Sequence, residues 1–435
     1  MSMYLTEVIS HLPAARYRGG RPSQPMMINI DSITTDPLAV RPGVLFVATP
    51  EGRMRNPFQA HAAARRGAAA VVCEPRESRD VTTPAIEVAD TRFAFDKLAS
   101  LFHGDPAAKL YHFLVTGGER RMAAAYYLRQ LMDGAGHRAA LLGSRACFID
   151  GRELPVPLAE LNANEFHRLL ASHLRAGGRA CIFETPSEAV PASVPASVPI
   201  RVRLTERPGG AAALRNMRSS VKGTQVMITA GATRQVVTTQ VVGMDNIAAL
   251  AAAFDAALQA GANPLSLVET VPHIVPMPGV MQRVEWKGSF SVFVDFASTP
   301  EALGTALREL RLLTAGRLIV VTGVRPTLPS NTRVELGRAA SLADYIVFTA
   351  DDAAYESVPD LNRAAAGVCQ PGSFAMEPDR AAAIHHAIGK AHAGDIVLLA
   401  GKGLSKSQGL EGAVIPWNDT HVASRFLSHP APRHA

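Results

Sequence analysis

Residues 114–144 read LVTGGERRMAAAYYLRQLMDGAGHRAALLGS. An apolar run ends in Thr116-Gly117-Gly118, an alanine-rich segment follows at once, and a second apolar run, ALLGS (140–144), comes after a glycine pair. Ala, Leu, Met, Gln and Arg favour helix, and Gly134 or Gly136 supplies the left-handed stop. The order is therefore strand, tight turn, helix from about Met122 to Ala135, and strand. In α/β proteins this unit brings a phosphate to a helix N-terminus.

A working phosphate loop needs glycines that let backbone N–H groups close round the anion. It also needs a lysine for the β- and γ-phosphates and a hydroxyl for Mg²⁺. Here Gly117 and Gly118 remain, but Glu119, Arg120, Arg121 and Met122 come next. Glu119 brings a carboxylate to a phosphate position, and Arg120 takes a place where a glycine conformation is expected, with a steric cost if its φ is positive. No hydroxyl stands where Mg²⁺ needs one. Arg121 offers a substitute cation, so residual anion binding by Arg120 and Arg121 at the helix N-terminus stands beside the plainer reading of a solvated charged turn.

Outward from this stretch, 435 residues exceed what one core usually holds and predict two or three domains. Block 1–110 carries strands VLFVA (44–48) and AAAVVCE (68–74) round the helical FQAHAAARRGA, a small α/β domain. Block 111–279 holds the opening unit, the strand RACIFET (179–185), the helix NANEFHRLLASHLRAGG and the helix 247–261. Between them the proline-spaced PSEAVPASVPASVPI (186–200) reads as an extended insert, and VKGTQVMITAG with RQVVTTQVVG alternates like a sheet with one wet face. Block 280–435 alternates apolar runs (FSVFVDFA, RLIVVTG, YIVFTAD, DIVLLAGKG) with helices, the mark of a doubly wound parallel sheet.

Composition narrows the classes. No apolar run reaches the roughly 18 residues of a membrane span, and the N-terminus lacks the basic-then-apolar order of a signal peptide, so a cytoplasmic protein is expected. Cys73, Cys147, Cys181 and Cys369 stand singly, as reduced, buried thiols do, without zinc spacing. The formal charge of +6 is modest and its arginines dispersed, which gives nucleic-acid binding little support. His385, His386, His392 and the Asp351-Asp352 pair are candidate cation ligands, though exposed histidines and a post-strand turn account for them as well.

Taken together these stretches resemble the Mur ligases, closest to the MurE type, the UDP-N-acetylmuramoyl-dipeptide ligases. DSITTDPLAVRPGVLFVATPEG is similar to the family's UDP-sugar-side DSR segment, and VTGGERRMA stands where the family has VTGTNGKTT. PMPGVMQRVE, VDFASTPEAL, FTADDAAYE, LLAGKGLSKSQ and WNDTHVA follow in family order, for PvpGRmE, vDYAHtPdal, vTdDNPRtE, laGKGHEdyq and fsDrevA. The resemblance implies a three-domain α/β architecture: a UDP-sugar-side domain (1–110), a P-loop-type central domain (111–279) and a Rossmann-like C-terminal domain (280–435). It also implies a reaction in which ATP activates a carboxylate as an acyl-phosphate and an amine displaces the phosphate.

The departures concern that reaction. Arg121 and Met122 replace the lysine and hydroxyl, and the Y-H-G…K segment with its modified lysine is missing from a shortened central block. Val280 replaces an arginine, Ser298 a histidine, Ile33 the arginine of DSR, and VRPTLPSN the GGDRD segment; the D-N-P-R position reads Asp352-Ala353-Ala354-Tyr355 and GKGHE reads GKGLS. Asp31 and Ser32 survive on the sugar side. Asn246, Asp295, Lys402 and Asp419 survive elsewhere, the first three as residual cofactor-side candidates with Gly117, Gly118, Arg120 and Arg121. Three functions follow: a catalytically inactive homologue that binds a protein partner, with a nucleotide or UDP-sugar ligand possible and ATP and Mg²⁺ lost; an atypical carboxylate–amine ligase built on Arg120 or Arg121; or a binder of anionic polymer.

Overall fold

The computed structural model describes residues 2–18, 28–79, 81–118, 120–154, 156–186, 200–204, 214–230, 233–353, 355–403, 405–410 and 412–428. Glu119, Ala354, Leu404 and the body of the proline-spaced insert (187–199) lie outside them. Contacts divide the chain into two units, Met1–Ala125 with Gly136–Arg203 and Tyr126–Ala135 with Leu204–Ala435.

The first unit holds two larger sheets beside the small antiparallel pair Met3–Tyr4 and Asn29–Ile30. In the N-terminal one the strands Ser32–Thr34, Val44–Val47, Ala70–Cys73 and Ala85–Glu87 run parallel, and Arg16–Arg18 adds an antiparallel edge. Side chains alternate across the pleat, so Phe46 and Val71 face the helix Gln59–Arg65 while Leu45, Val47 and Val72 face the helix Thr91–Phe102. Thr91–Phe102 is not among the helices anticipated above. Its apolar stripe of Ala94, Phe95, Leu98 and Phe102 is buried, and Asp90 caps it by accepting from the N–H groups of Arg92 and Phe93.

The second sheet has six strands in the order Arg152–Leu154, Cys147–Ile149, Ala139–Leu142, Ala180–Glu184, Tyr111–Gly117, Ile200–Leu204. The middle trio is parallel, with Phe183 opposite both Leu142 and Leu114 and Glu184 opposite Val115. The helix Ala163–Arg175 covers one face through Phe166 and Leu170 and starts on a capping box of Asn162 and Glu165. The helix of the opening stretch runs Arg121–Gly134, and Gly136 beyond it is left-handed at φ 82°.

The second unit contains the antiparallel meander Leu214–Ser220, Gly223–Ala230, Thr233–Thr239, the helix Met244–Gln259 and a six-stranded sheet. That sheet has the order Gln282–Arg283, Ser291–Asp295, Ile396–Ala400, Leu318–Thr322, Tyr345–Phe348, Phe374–Met376, all parallel except its first strand. The last parallel strand in sequence, Ile396–Ala400, thus lies between the first two, which opens a crevice at its carboxyl end, the place where doubly wound sheets take ligands. Two apolar layers sandwich the sheet, one around Leu303, Leu307 and Leu336 and the other around Ile384, Ala387 and Ala423. The helices Val358–Ala366 and Asp419–Ser428 and the ribbon Ser407–Leu410/Ala413–Pro416 extend the anticipated pattern.

Candidate functional site

At the turn after Tyr111–Gly117 the left-handed residue is Gly117, at φ 109°. Arg121 opens the helix, and its N–H and Nη1 both donate to the Gly118 carbonyl at 3.2 Å. Its Nε lies 2.5 Å from Oε1 of Glu184, whose side chain is wholly buried while that of Arg121 is only 19% exposed. The approach is an ion-pair contact without hydrogen-bond alignment, since neither Arg121 Nε nor Glu184 Oε1 has a hydrogen-bond partner. Oε2 of Glu184 accepts the N–H of Ser144 at 2.6 Å.

Sequence reasoning passed over Glu184 as part of a strand. Its signal was an acidic residue closing an apolar parallel strand, at the sheet edge where ligand groups gather. Beside it Met122 is buried, and a β-carbon on Gly143 would come within 2.8 Å of its Cε. Where a Mg²⁺–nucleotide site needs a hydroxyl and an available carboxylate, this turn has a packed thioether and a carboxylate already facing a guanidinium.

The carboxyl edge of the C-terminal sheet gathers the second set. Lys402 is buried, its Nζ donating to Asp352 Oδ1 and, at 3.2 Å, to the Ser407 carbonyl, with Asp351 Oδ1 3.8 Å away. Arg325 pairs with Asp351 at 2.9 Å and donates to the Gly401 carbonyl. The guanidinium of Arg380, fully buried, grips Asp419 at 2.9 and 2.7 Å and donates to the carbonyls of Ala350 and Ala400. Burial pushes the Lys402 ammonium below its ordinary value despite the two aspartates. Burial works to raise Asp352, yet hydrogen bonds from Lys402 and the Gly409 N–H prevail and hold it below the usual carboxylate range. Three cations thus meet three carboxylates, and the crevice is neutralised by its own side chains.

Two non-glycine residues at this edge, Met281 (φ 44°) and Asp352 (φ 54°), are left-handed, a strain that surrounding structure must hold. Asp295 does part of that, accepting the N–H groups of Met281 at 2.7 Å and Ala297 at 2.8 Å. Asn246 is buried and donates to the carbonyls of Val242 and Val280. Of the residues singled out in sequence, Asp351, Asp352, Lys402 and Asp419 therefore meet in one network, while Asn246 and Asp295 bond backbone. In the N-terminal part Asp31 accepts from Asn29, Ser32 opens a strand, and Gly43 (φ 85°) leaves room that a β-carbon would take from Asp31.

The histidines and cysteines go elsewhere. His385 packs on Phe426 and His386 on Tyr345, while His392 lies beyond the helix Arg380–Lys390. Burial pushes the Cys73 thiol up to about 12 and Cys147 to about 11, far from the thiolate that nucleophilic attack requires. Tyr126 and Tyr127 are buried, with Arg129 over the Tyr126 ring. No group of three His, Cys, Asp or Glu residues could hold a metal ion among the described residues, and none of their helices is long and apolar enough to cross a membrane.

This combination of a phosphate-loop-like turn on a parallel sheet with a doubly wound C-terminal sheet is the Mur ligase fold, and residues 281–403 match the family model for the Mur ligase glutamate ligase domain. Over nearly its whole length the chain is similar to ligases of the MurE type. It is 27% identical to a UDP-N-acetylmuramoyl-L-alanyl-D-glutamate–2,6-diaminopimelate ligase of Geobacillus thermodenitrificans, covering 97% of this chain and 98% of that one. The enzyme of the same name from Xanthomonas campestris is 28% identical over 92% and 94%. A solved structure of such a ligase superposes with a TM-score of 0.66 at 19% identity, over 98% and 99% of the two chains, a likeness of fold. The Geobacillus alignment spans 489 positions against 435 residues here, so at least 54 positions have no counterpart in this chain.

Proposed function

We propose that this protein has lost the ATP- and Mg²⁺-dependent step of its relatives and acts by binding, as a scaffold or regulatory partner in cell-envelope or related biosynthesis. The observation that carries this reading is the Arg121–Glu184 pair. A guanidinium anchored to the Gly118 carbonyl and a wholly buried carboxylate satisfies within the protein the charges that would otherwise meet phosphate and metal. Met122, packed beside Gly143, removes the remaining hydroxyl ligand. Losing one such group costs orders of magnitude in rate, and here the lysine and the hydroxyl are both replaced.

The test is phosphate release from ATP with Mg²⁺, using UDP-N-acetylmuramoyl peptides as carboxylate donors and a panel of amino acids as amines. No turnover above a boiled control is expected. ATP- and Mg²⁺-dependent release that saturates with a carboxylate–amine pair would overturn the reading. A thermal-shift panel of nucleotides and UDP-sugar peptides identifies any ligand kept, because a ligand bound only to the folded state raises its stability.

Near full-length similarity to proteins named as ligases favours a second reading, an atypical ligase in which Arg120 or Arg121 serves as the phosphate cation. It requires Mg²⁺–ATP binding that Arg121→Ala abolishes, and calorimetry decides it.

A further inference from the structure

Residues 207–244 contain five basic side chains and no aspartate or glutamate. Most of this stretch forms the three-stranded meander of the second unit, Leu214–Ser220, Gly223–Ala230 and Thr233–Thr239. One face is buried through Leu214, Val226, Ile228 and Val237. The register places the other side chains in rows across the strands: Arg215 opposite Met227 and Val236, Arg218 opposite Gln225 and Thr238, and Thr229 opposite Arg234.

That second face is open. Arg215, Arg218, Lys222 and Arg234 are exposed, and none is in an ion pair among the described residues. A bulge between Asn216 and Arg218 turns Met217 out, and it is 54% exposed; Val236 is 49% exposed. Arg234 lies over Met227, its Nε 3.2 Å from the sulfur. An ordinary wet sheet face mixes charges of both signs. Three unpaired arginines and the bare Val236 share this face, with Lys222 exposed at the adjoining turn and Met217 at the bulge; the cations repel one another and the apolar groups stand in water, costs that a partner would relieve.

We infer that this face binds an acidic polypeptide segment. Arginine forks pair bidentately with carboxylates, and arginine and methionine are the side chains enriched in protein–protein contacts while lysine is depleted. Successive rows on the sheet stand about 7 Å apart, which matches alternate side chains of an extended partner. Single-stranded nucleic acid is bound on aromatic platforms, and residues 214–239 contain no aromatic side chain. Anionic membranes are entered through large apolar or aromatic groups, and here Met217 and Val236 stand among Gln225, Thr229 and Thr238. The inference names a partner for the binding role proposed above and rests on that reading for its biological meaning, though not for its chemistry.

The probe is fluorescent poly-L-glutamate titrated into the full chain, with poly-dT and phosphatidylserine vesicles in parallel. Saturable binding to poly-L-glutamate is expected, weakened by about tenfold or more in R215E/R218E and in R234E, since each reversal turns attraction into repulsion. The charge-neutral M217S/V236S is expected to weaken it severalfold, which pure counterion attraction would not produce. R215Q/R218Q serves as a milder variant, and far-UV circular dichroism confirms that each variant folds. No binding, binding untouched by all four variants, or tighter binding of poly-dT or vesicles would overturn the inference. Phosphate release measured on the same samples separates this failure from failure of the proposed function.

Discussion

Replacing Arg121 with alanine leaves the Glu184 carboxylate with no cation in a site that water does not reach. Breaking a buried ion pair by removing one partner costs about 3–5 kcal/mol, because the desolvated charge stays behind. Arg121 keeps 19% of its side chain in solvent, so the low end, about 3 kcal/mol, is the expected size. For a unit of this length that lowers its midpoint by about 6–12 °C. Scanning calorimetry is the assay, because two units need not melt as one transition, and only the transition of the first is expected to move. In Arg121→Met/Glu184→Gln the charge is gone from both sides and the glutamine oxygen still accepts the Ser144 N–H. This double variant is expected to recover most of the loss. If Arg121→Ala shifts the midpoint by less than about 2 °C, or if the double variant is as unstable as the single losses summed, the pair is not a coupled buried unit. Arg121 and Glu184 then do not fill the site as a pair.

Two further outcomes follow from buried titratable groups. Burial, with a smaller push from His103, lowers His167 to about 4, and its Nδ1 has no partner. The folded value lies below the unfolded one, so the unfolded chain binds the extra proton first and stability rises with pH between about 4 and 6.5; His167→Gln is expected to flatten about 3 kcal/mol of that slope in urea titrations. Asp419→Ala strands the Arg380 guanidinium in the C-terminal sheet at a cost of about 3–5 kcal/mol, whereas Arg380→Met/Asp419→Leu comes out near neutral; a loss in Asp419→Ala under about 1 kcal/mol would contradict the geometry.

Much of the architecture was legible in one dimension. Near-continuous apolar runs such as RLIVVTG and DIVLLAGKG, spaced by helices, can be satisfied only by a parallel sheet buried on both faces, and that is where Leu318–Thr322 and Ile396–Ala400 lie. The glycine stops, the Asn162 capping box and the alternation of 223–239 are local chemistry that survives folding because neighbours a few residues apart decide it. Helix Thr91–Phe102 carried the same kind of signal in its apolar stripe.

The chemistry of the two sites was not legible in that way. Glu184 is 63 residues from Arg121 in sequence and becomes its partner only because Ala180–Glu184 pairs in parallel with Tyr111–Gly117, which puts both strand ends at one edge. Lys402 looked like the surviving lysine of a glycine-flanked turn, but strand order brings Asp351 and Asp352 against it. Asp419 stood in sequence as a lone surviving acid, and the fold buries it wholly against Arg380, 39 residues away. Periodicity and capping depend on energies between near neighbours, so the sequence by itself determined the likeness to the Mur ligases, the strands and the residues, Arg121 and Met122, that follow the glycine turn. Which charge meets which depends on strand order and register across tens of residues, and only the tertiary structure decided that this turn closes on its own carboxylate.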